Sequence, residues 1–392
     1  MTKSKRKANL LFVLLMIAII LFSFIACDDS DDDSSSSDSS DSSGSSDSSG
    51  SIIEVSTVNG LATALKEDGA TVRLTKDIKL TSRIAAPGAD VTLDLNGYTL
   101  SSSVSTDNAI TIRGSLTITG NGTIKKDSNY DSQMIYVYGG SLTIESGTFV
   151  DEFFDYELAY FSASSYAENV ESMIYMSDGS ITIKGGTFGA YGKYLLQSSG
   201  GTVVIEGGRF YSKNAGLLSK LYLENSSVAI TGGNFNYGSY NQFTLSGCEG
   251  LDEGSAVEIS GAYFNQIYLI ATDAIIYNST ISTSTKVSDG SSVTLESGSF
   301  GGVNCSDGSH VTIKGGTGTI LKVSGTSSTT AIEVYDGTFS GSLTTSGDNA
   351  SITLYGGSYS ANPADYLADG YSYIESIDDY GDPLYIVVSE SS

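Results

Sequence analysis

The sequence has few of the residues from which catalytic and metal sites are usually recognised. Its 392 residues include one histidine, three cysteines, three prolines and no tryptophan. The histidine, His310, follows Cys305 and Asp307 closely, but these residues match no metal or catalytic motif. We therefore expect His310 to be a surface or corner residue. We predict no metal site and no cofactor.

Basic residues are also scarce. The chain has 20 Lys and Arg against 45 Asp and Glu, which gives a formal net charge of −25 at pH 7. Such a surface repels nucleic acid, so we exclude nucleic acid as a partner. Strong net charge also keeps an extended protein soluble, and we expect a monomer.

Glycine and short apolar alternations are abundant, and they recur as one unit. At 180–188, Ile181 and Ile183 share one face of a strand, two glycines turn the chain, and Phe188 points inward. The aromatic anchor recurs at Phe149, Phe188, Phe210, Phe235, Phe264, Phe300, Phe339 and Tyr359. Weaker units end near Ile281 and Gly318. A strand-patterned period of about 18 to 29 residues predicts a β-solenoid.

The repeat predicts one elongated domain of coils over 71–360, since each coil contacts only its neighbours. Before Phe149, the inward register is expected to continue through Leu80, Leu100 and Ile124.

The two ends of the repeat differ from its coils. Residues 52–70 place apolar side chains at helical spacing and predict an N-terminal cap with a short helix, N-capped by Ser56 or Thr57. Residues 361–392 predict a C-terminal cap with a last strand at 384–388.

The strand at 93–100, the helix before it and the stacked coils resemble the right-handed parallel β-helix, or pectin-lyase-like, superfamily. The segment 356–371 resembles the closing segment of uncharacterised β-helical bacterial surface proteins. The resemblance covers about residues 52–388 and implies an all-β fold of about a dozen coils. It implies little about function, because one fold carries many activities.

The N-terminus is predicted to carry a targeting signal. Basic residues from Lys3 to Lys7 precede the apolar run 8–24, and Ile25, Ala26 and Cys27 follow. Residues 1–26 resemble the signal peptide of a bacterial lipoprotein, which implies cleavage before Cys27 and lipidation of that residue. An uncleaved transmembrane helix is the alternative.

Residues 27–51 predict a disordered tether. After Cys27 this segment contains only Asp, Ser and Gly, so it has no apolar side chain to bury. Like charges extend such a chain. We expect a lipid-anchored protein of the bacterial cell envelope, extracytoplasmic or surface-exposed, with the membrane and its face left open.

The repeat is interrupted at 151–161 and 236–243, both aromatic, and we expect loops that stand off the rod. The first is acidic and is a candidate contact site for a glycan or protein ligand, through Asp151, Phe153, Phe154, Asp155, Tyr156 and Tyr160. A binding or adhesive role without catalysis is the first hypothesis.

Two alternatives remain. The resemblance implies that a polysaccharide lyase would need Arg or Lys beside clustered carboxylates, and a glycoside hydrolase needs paired carboxylates. Carboxylates occur about once per coil, which is typical of a solvated face, at Asp94, Glu145, Glu206, Glu258, Glu296 and Glu333. A structural spacer is the other alternative.

Cys248 and Cys305 remain after Cys27. They are separated by two or three coils, about 10 to 14 Å along the axis, which exceeds the Cα distance of a disulfide. We predict two free thiols.

Overall fold

The computed structural model describes residues 51–105, 108–127, 132–151, 172–190, 194–212, 221–237 and 242–390. These residues form an all-β, parallel solenoid of about 12 coils. The fold class predicted from the sequence is confirmed.

Short strands make up almost all of the described chain. The first eighteen are β1 (Ile52–Val55), β2 (Thr71–Leu74), β3 (Ile78–Leu80), β4 (Ile84–Ala86), β5 (Val91–Asp94), β6 (Thr99–Ser102), β7 (Ile110–Ile112), β8 (Ser115–Thr119), β9 (Thr123–Lys126), β10 (Ile135–Ile144), β11 (Thr148–Asp151), β12 (Ile174–Ile183), β13 (Thr187–Ala190), β14 (Leu196–Ser199), β15 (Thr202–Ile205), β16 (Arg209–Ser212), β17 (Leu221–Glu224) and β18 (Ser227–Ile230). The others are β19 (Asn234–Tyr237), β20 (Gln242–Ser246), β21 (Val257–Ser260), β22 (Tyr263–Ile270), β23 (Ala274–Tyr277), β24 (Ser279–Ser288), β25 (Ser292–Leu295), β26 (Gly298–Ser299), β27 (Gly302–Ser306), β28 (His310–Ile313), β29 (Thr317–Gly318), β30 (Leu321–Ser324), β31 (Thr330–Val334), β32 (Thr338–Phe339), β33 (Leu343–Ser346), β34 (Ala350–Leu354), β35 (Ser358–Tyr359), β36 (Tyr371–Ile377) and β37 (Pro383–Ser389).

The coils align these strands in three rows. The isoleucine row comprises β1, β2, β5, β8, the second halves of β10 and β12, β15, β18, β21, β23, β25, β28, β31 and β34. The phenylalanine row comprises β3, β6, β9, β11, β13, β16, β19, the first halves of β22 and β24, β26, β29, β32 and β35. The tyrosine row comprises β4, β7, the first halves of β10 and β12, β14, β17, β20, the second halves of β22 and β24, β27, β30 and β33. Within each row, neighbouring strands pair in parallel from coil to coil.

A phenylalanine ladder runs through the core. Its register is Ile78, Leu100, Ile124, Phe149, Phe188, Phe210, Phe235, Phe264, Ile281, Phe300, Gly318, Phe339 and Tyr359. The five rings from Phe149 to Phe264 stack with centroids 4.5–4.8 Å apart and planes within 14°. The weaker units predicted at Ile281 and Gly318 are confirmed.

One step of the predicted ladder is wrong. Ile78, and not Leu80, is the register partner of Leu100, and Leu80 pairs with Ser102. Both side chains are buried, because they are two residues apart on one strand face. The length of the preceding turn decides which of them enters the ladder.

The glycine corner before each aromatic anchor has a steric cause. Gly186, Gly208 and Gly233 have φ of 99°, 105° and 109°, a region that side chains rarely adopt. A Cβ on Gly233 would also lie 2.9 Å from the ring of Phe235. The corner therefore needs glycine for the conformation and for the close ring.

The N-terminal helix α1 (Val58–Ala64) has the predicted cap. The Thr57 hydroxyl accepts a hydrogen bond of 3.1 Å from the Gly60 amide, and Leu61 and Ala64 are buried against the core. Strand β1 precedes the helix and pairs in register with β2, so the range 52–70 also contributes a strand to the isoleucine row.

The chain ends in an antiparallel hairpin. A short 3₁₀ helix (Ala364–Tyr366) precedes β36, and β37 pairs with both β35 and β36. The predicted last strand at 384–388 is confirmed, although it runs antiparallel and does not add another coil.

Two further expectations concern loops and thiols. The expected loop at 236–243 is wrong in part, since Phe243 lies in β20 with 1% of its surface exposed, and residues 238–241 lie outside the described ranges. Cys248 and Cys305 are free and buried, as predicted. The register that links Leu245 to Leu269, Val287 and Cys305 places the two thiols three coils apart.

Candidate functional site

Within the described ranges, the tyrosine row aligns four tyrosines in register on the outer surface. Tyr136 pairs with Tyr175 in the next coil, followed in register by Gln197, Tyr222, Thr244 and Tyr268. We call Tyr136, Tyr138, Tyr175, Gln197, Tyr222 and Tyr268 the tyrosine face. Period-two alternation builds it, because the residues on either side of each tyrosine point into the core.

The rings of the tyrosine face pack along the axis. Tyr136 and Tyr175 stack with centroids 5.6 Å apart and planes at 21°, and Tyr136 also contacts Tyr138 at 5.8 Å. The Tyr136 hydroxyl is 2.9 Å from that of Ser177. Farther along, Tyr222 contacts Tyr194 with centroids 5.7 Å apart. These contacts fix ring orientations before any ligand arrives, which lowers the entropy cost of binding.

Each end of the tyrosine face carries a cation. The Arg113 guanidinium carbon lies 5.0 Å from the centroid of Tyr138. The Lys286 ammonium lies 4.4 Å from the centroid of Tyr268 and donates a hydrogen bond to its hydroxyl. The tyrosine face is thus bounded by positive charge on a strongly acidic protein.

Tyr222 is a phenol of the tyrosine face whose pKa is shifted. Burial raises the pKa of Tyr222 above its ordinary value, and the nearby Glu224 carboxylate raises it further. Its hydroxyl also forms side-chain hydrogen bonds with Ser246 and Glu224, which hold the phenol in place.

Six successive connections between the phenylalanine row and the tyrosine row include residues outside the described ranges. These residues are 106–107, 128–131, 152–171, 191–193, 213–220 and 238–241.

Of the predicted contact residues, only Asp151 is described. It ends β11, pairs in register with Lys126 and is 6% exposed, while Lys126 is 2% exposed. The Asp151 carboxylate is therefore buried at the end of strand β11 and does not lie in an exposed loop. Phe153, Phe154, Asp155, Tyr156 and Tyr160 lie outside the described residues, as does Cys27.

An open groove at the glycine corner is a second candidate. It has a volume of about 620 Å³ and is lined by Asn121, Gly147, Thr148, Gly186, Thr187, Gly208, Arg209, Gly233 and Asn234. Arg209 is the one charged residue of the lining. The stacked rings beneath account for the glycines, so the groove follows from the architecture.

The carboxylates expected on a solvated face lie at two sets of outward-facing positions on the isoleucine row. Glu258 and Glu333 belong to the same set as the outward threonines. At the second set, charged side chains pair between coils, with Lys184 Nζ 3.5 Å from Glu145 Oε1 and Lys314 Nζ 2.9 Å from Glu296 Oε1. These contacts join single acids to single bases.

His310 begins β28 and is half-exposed, with Nε2 3.7 Å from Glu333 Oε2. Within the described ranges, no group of three or more His, Cys, Asp or Glu side chains is placed to hold a metal ion.

The sequence contains 25 tyrosines, but their spacing along the chain does not reveal the tyrosine face. Tyr136, Tyr175, Tyr222 and Tyr268 are 39, 47 and 46 residues apart in the chain. Because the connections between the phenylalanine row and the tyrosine row vary in length, this spacing hides the register. The signal was the apolar, aromatic, apolar triplet that surrounds each of them.

None of the described residues forms a helix with the length and apolar character needed to cross a membrane. Neither the known protein families, nor the curated proteins, nor the solved structures provide a match to this chain.

Proposed function

We propose that the chain is a lipid-anchored protein of the bacterial cell envelope whose solenoid binds an extended glycan through the tyrosine face, without catalysing a reaction. The observation that carries the proposal is the register of Tyr136, Tyr175, Tyr222 and Tyr268 along one outer surface, with Arg113 and Lys286 at its ends.

Tyrosine suits a sugar ligand because it offers an apolar ring face for stacking and a hydroxyl for hydrogen bonding. Tyr175, Tyr222 and Tyr268 follow each other at two-coil intervals. With strands about 4.8 Å apart, two coils span roughly 9.6 Å. This interval is comparable to a disaccharide of an extended β-linked chain, so successive rings could meet equivalent sugars.

The negative charge of the protein favours a neutral glycan over an anionic one. The net charge of −25 repels polyanions, whereas uncharged glycans approach freely. Arg113 and Lys286 already lie over tyrosine rings, so they are placed to extend the aromatic surface. We therefore expect a neutral chain, with at most isolated acidic groups near the ends of the tyrosine face.

The anchor and tether complete the proposal. Lipidation of Cys27 would hold the protein at a membrane, and multiple acyl chains bind stably where one is marginal. A flexible tether of 24 residues has a root-mean-square span of roughly 25–30 Å, and repulsion between aspartates extends it. Such a tether leaves the tyrosine face free to meet a polymer.

Binding is tested with protein purified in detergent against soluble and insoluble glycans. The double variant Tyr175→Ala/Tyr222→Ala is expected to weaken binding by about 5- to 150-fold, since each stacking contact contributes about 0.5–1.5 kcal/mol. The control Tyr335→Ala/Tyr355→Ala removes a stacked pair from another face, with centroids 4.8 Å apart. Equal losses in both variants, or glycan turnover with an unsaturated product, would contradict the proposal.

The anchor is tested by fractionating cells that express the full chain or Cys27→Ala. The wild-type protein is expected in the membrane fraction and should incorporate labelled fatty acid. The Cys27→Ala variant should incorporate none. Fatty acid on the variant would place lipidation elsewhere.

A further inference from the structure

Among the described residues, one edge of the C-terminal hairpin has no strand paired with it. Two backbone hydrogen bonds show which residues of β36 bond to β37 and which face the outer edge. They run from the Glu390 amide to the Gly370 carbonyl and from the Asp378 amide to the Asp382 carbonyl, and both are 2.9 Å long. With the register of β36 against β37, these bonds assign Ser372, Ile374 and Ser376 to hydrogen-bonded pairs.

The alternate residues of β36 then face away from β37. The amide and carbonyl groups of Tyr373, Glu375 and Ile377 point to the outer edge, and β37 is the one strand paired with β36 in the described chain. Strand ladders end in this way at every open edge, and such an edge is a template for another extended chain.

The outer part of the hairpin also exposes apolar side chains. Ile374 is 55% exposed, Ile377 is 70% exposed and Tyr380 in the turn is 93% exposed. Because Ile374 and Ile377 lie on opposite faces of β36, an added strand would find an apolar neighbour on both faces.

The charge of this end is of one sign. Lys322 is the last basic residue of the chain, and ten acidic residues follow it. Glu375, Asp379 and Asp382 are exposed on the hairpin itself. Two copies of so acidic an end repel each other, whereas a basic segment is attracted.

We propose that β36 accepts an extended basic segment of another polypeptide, with lysine or arginine alternating with aliphatic residues, as an added strand. The backbone edge supplies hydrogen bonds, Ile374 and Ile377 supply apolar contacts, and the acidic side chains select positive charge. This surface is separate from the tyrosine face and does not depend on the glycan proposal.

The probe is a blocked seven-residue peptide in which lysine and valine alternate, added to the full-length protein in detergent. Residue-resolved hydrogen exchange is expected to slow at least fivefold at the amides of Tyr373, Glu375 and Ile377. The amides of Ser372, Ile374 and Ser376 already bond to β37 and should change less. No slowing at the edge amides, or equal slowing at acidic sites over the whole surface, would overturn the proposal.

Variants separate the edge from simple charge attraction. Glu375→Pro removes an outward amide and leaves the bonds of Ile374 and Ser376 to β37, so peptide binding should fall at least tenfold while exchange at those two amides stays slow. Glu375→Gln, the matched variant, keeps the amide and should bind more than Glu375→Pro does. Equal binding by these two variants would overturn strand addition.

A second pair tests where the charge acts. Glu375→Lys/Asp379→Lys should lose binding at least tenfold, and Glu206→Lys/Glu258→Lys, which changes the net charge equally at two exposed coil positions, should stay within twofold of wild type. Equal losses in both pairs, or sedimentation showing a dimer that Glu375→Pro dissociates, would overturn the proposal.

Discussion

Gly318 and Phe339 are neighbours in the phenylalanine ladder, where the glycine makes room for the ring. They are register partners in β29 and β32, and a Cβ on Gly318 would lie 2.8 Å from Cε1 of Phe339. The missing side chain in one coil is therefore compensated by the aromatic ring of the next.

The close approach of Gly318 to Phe339 predicts that a side chain added at Gly318 destabilises the protein. Gly318→Ala should lower the free energy of unfolding by about 1–3 kcal/mol, because the extra carbon overpacks the core. Phe339→Leu in the same chain should recover part of the loss, as measured by urea unfolding in a double-mutant cycle. Gly302→Ala is the control, since the nearest atom to its Cβ is 3.7 Å away, and it should change stability by less than about 0.5 kcal/mol.

The centre of the stacked ladder should be costly to truncate. Phe210 lies between Phe188 and Phe235, with centroids 4.8 and 4.5 Å away. Phe210→Ala should destabilise by about 3–5 kcal/mol and Phe210→Leu by less, measured by thermal and urea unfolding. Tyr263→Ala, at a residue that is 37% exposed, serves as the surface comparison. A Phe210→Ala cost no larger than that of Tyr263→Ala would contradict this role of the ladder.

The surface ion pairs between coils should contribute little to the free energy of unfolding. Lys314 and Glu296 retain 53% and 44% side-chain exposure at a separation of 2.9 Å. A double-mutant cycle of Lys314→Ala and Glu296→Ala should give a coupling below about 1 kcal/mol that declines with added salt. A larger coupling that persists at high salt would mean that these rows hold the coils together.

The buried thiol of Cys305 predicts a pH dependence. Burial raises the pKa of Cys305 from 9.0 to about 12, so between these values the folded thiol stays protonated while the unfolded thiol ionises. Its contribution to the free energy of unfolding is complete below pH 9 and is lost as the pH rises towards 12.

The comparison with Cys305→Ala isolates that contribution. The two proteins should differ more at about pH 7.5 than at about pH 10.5 in urea unfolding, because the other titrating groups are shared. A constant difference across this range would show that the thiol does not titrate differently in the two states.

Much of the fold could be predicted because the inward positions are set locally. In most units, two inward apolar residues on either side of one outward residue, followed by a glycine corner, specify strand, turn and ladder position. This logic located even the weak units at Ile281 and Gly318. It was wrong at Ile78 and Leu80, where alternation allows both residues inside and only the turn decides the register.

The candidate site was harder to predict than the core. Aromatic runs near 151–161 and 236–243 suggested loops, yet Asp151 and Phe243 lie in strands and are buried. The residues that meet on an outer surface come from neighbouring coils. Because the interruptions of the repeat differ in length, the sequence does not show which outward residues are in register. The antiparallel hairpin was missed for a related reason, since a strand pattern does not state its direction.

Oxidative footprinting of tyrosine in the detergent-purified protein, with and without a bound neutral glycan, tests whether the tyrosine face binds the glycan. We predict that Tyr136, Tyr175, Tyr222 and Tyr268 lose reactivity together, while Tyr335 and Tyr355 keep theirs. Protection at Tyr335 and Tyr355 instead, or no glycan that protects any residue of the tyrosine face, would contradict it.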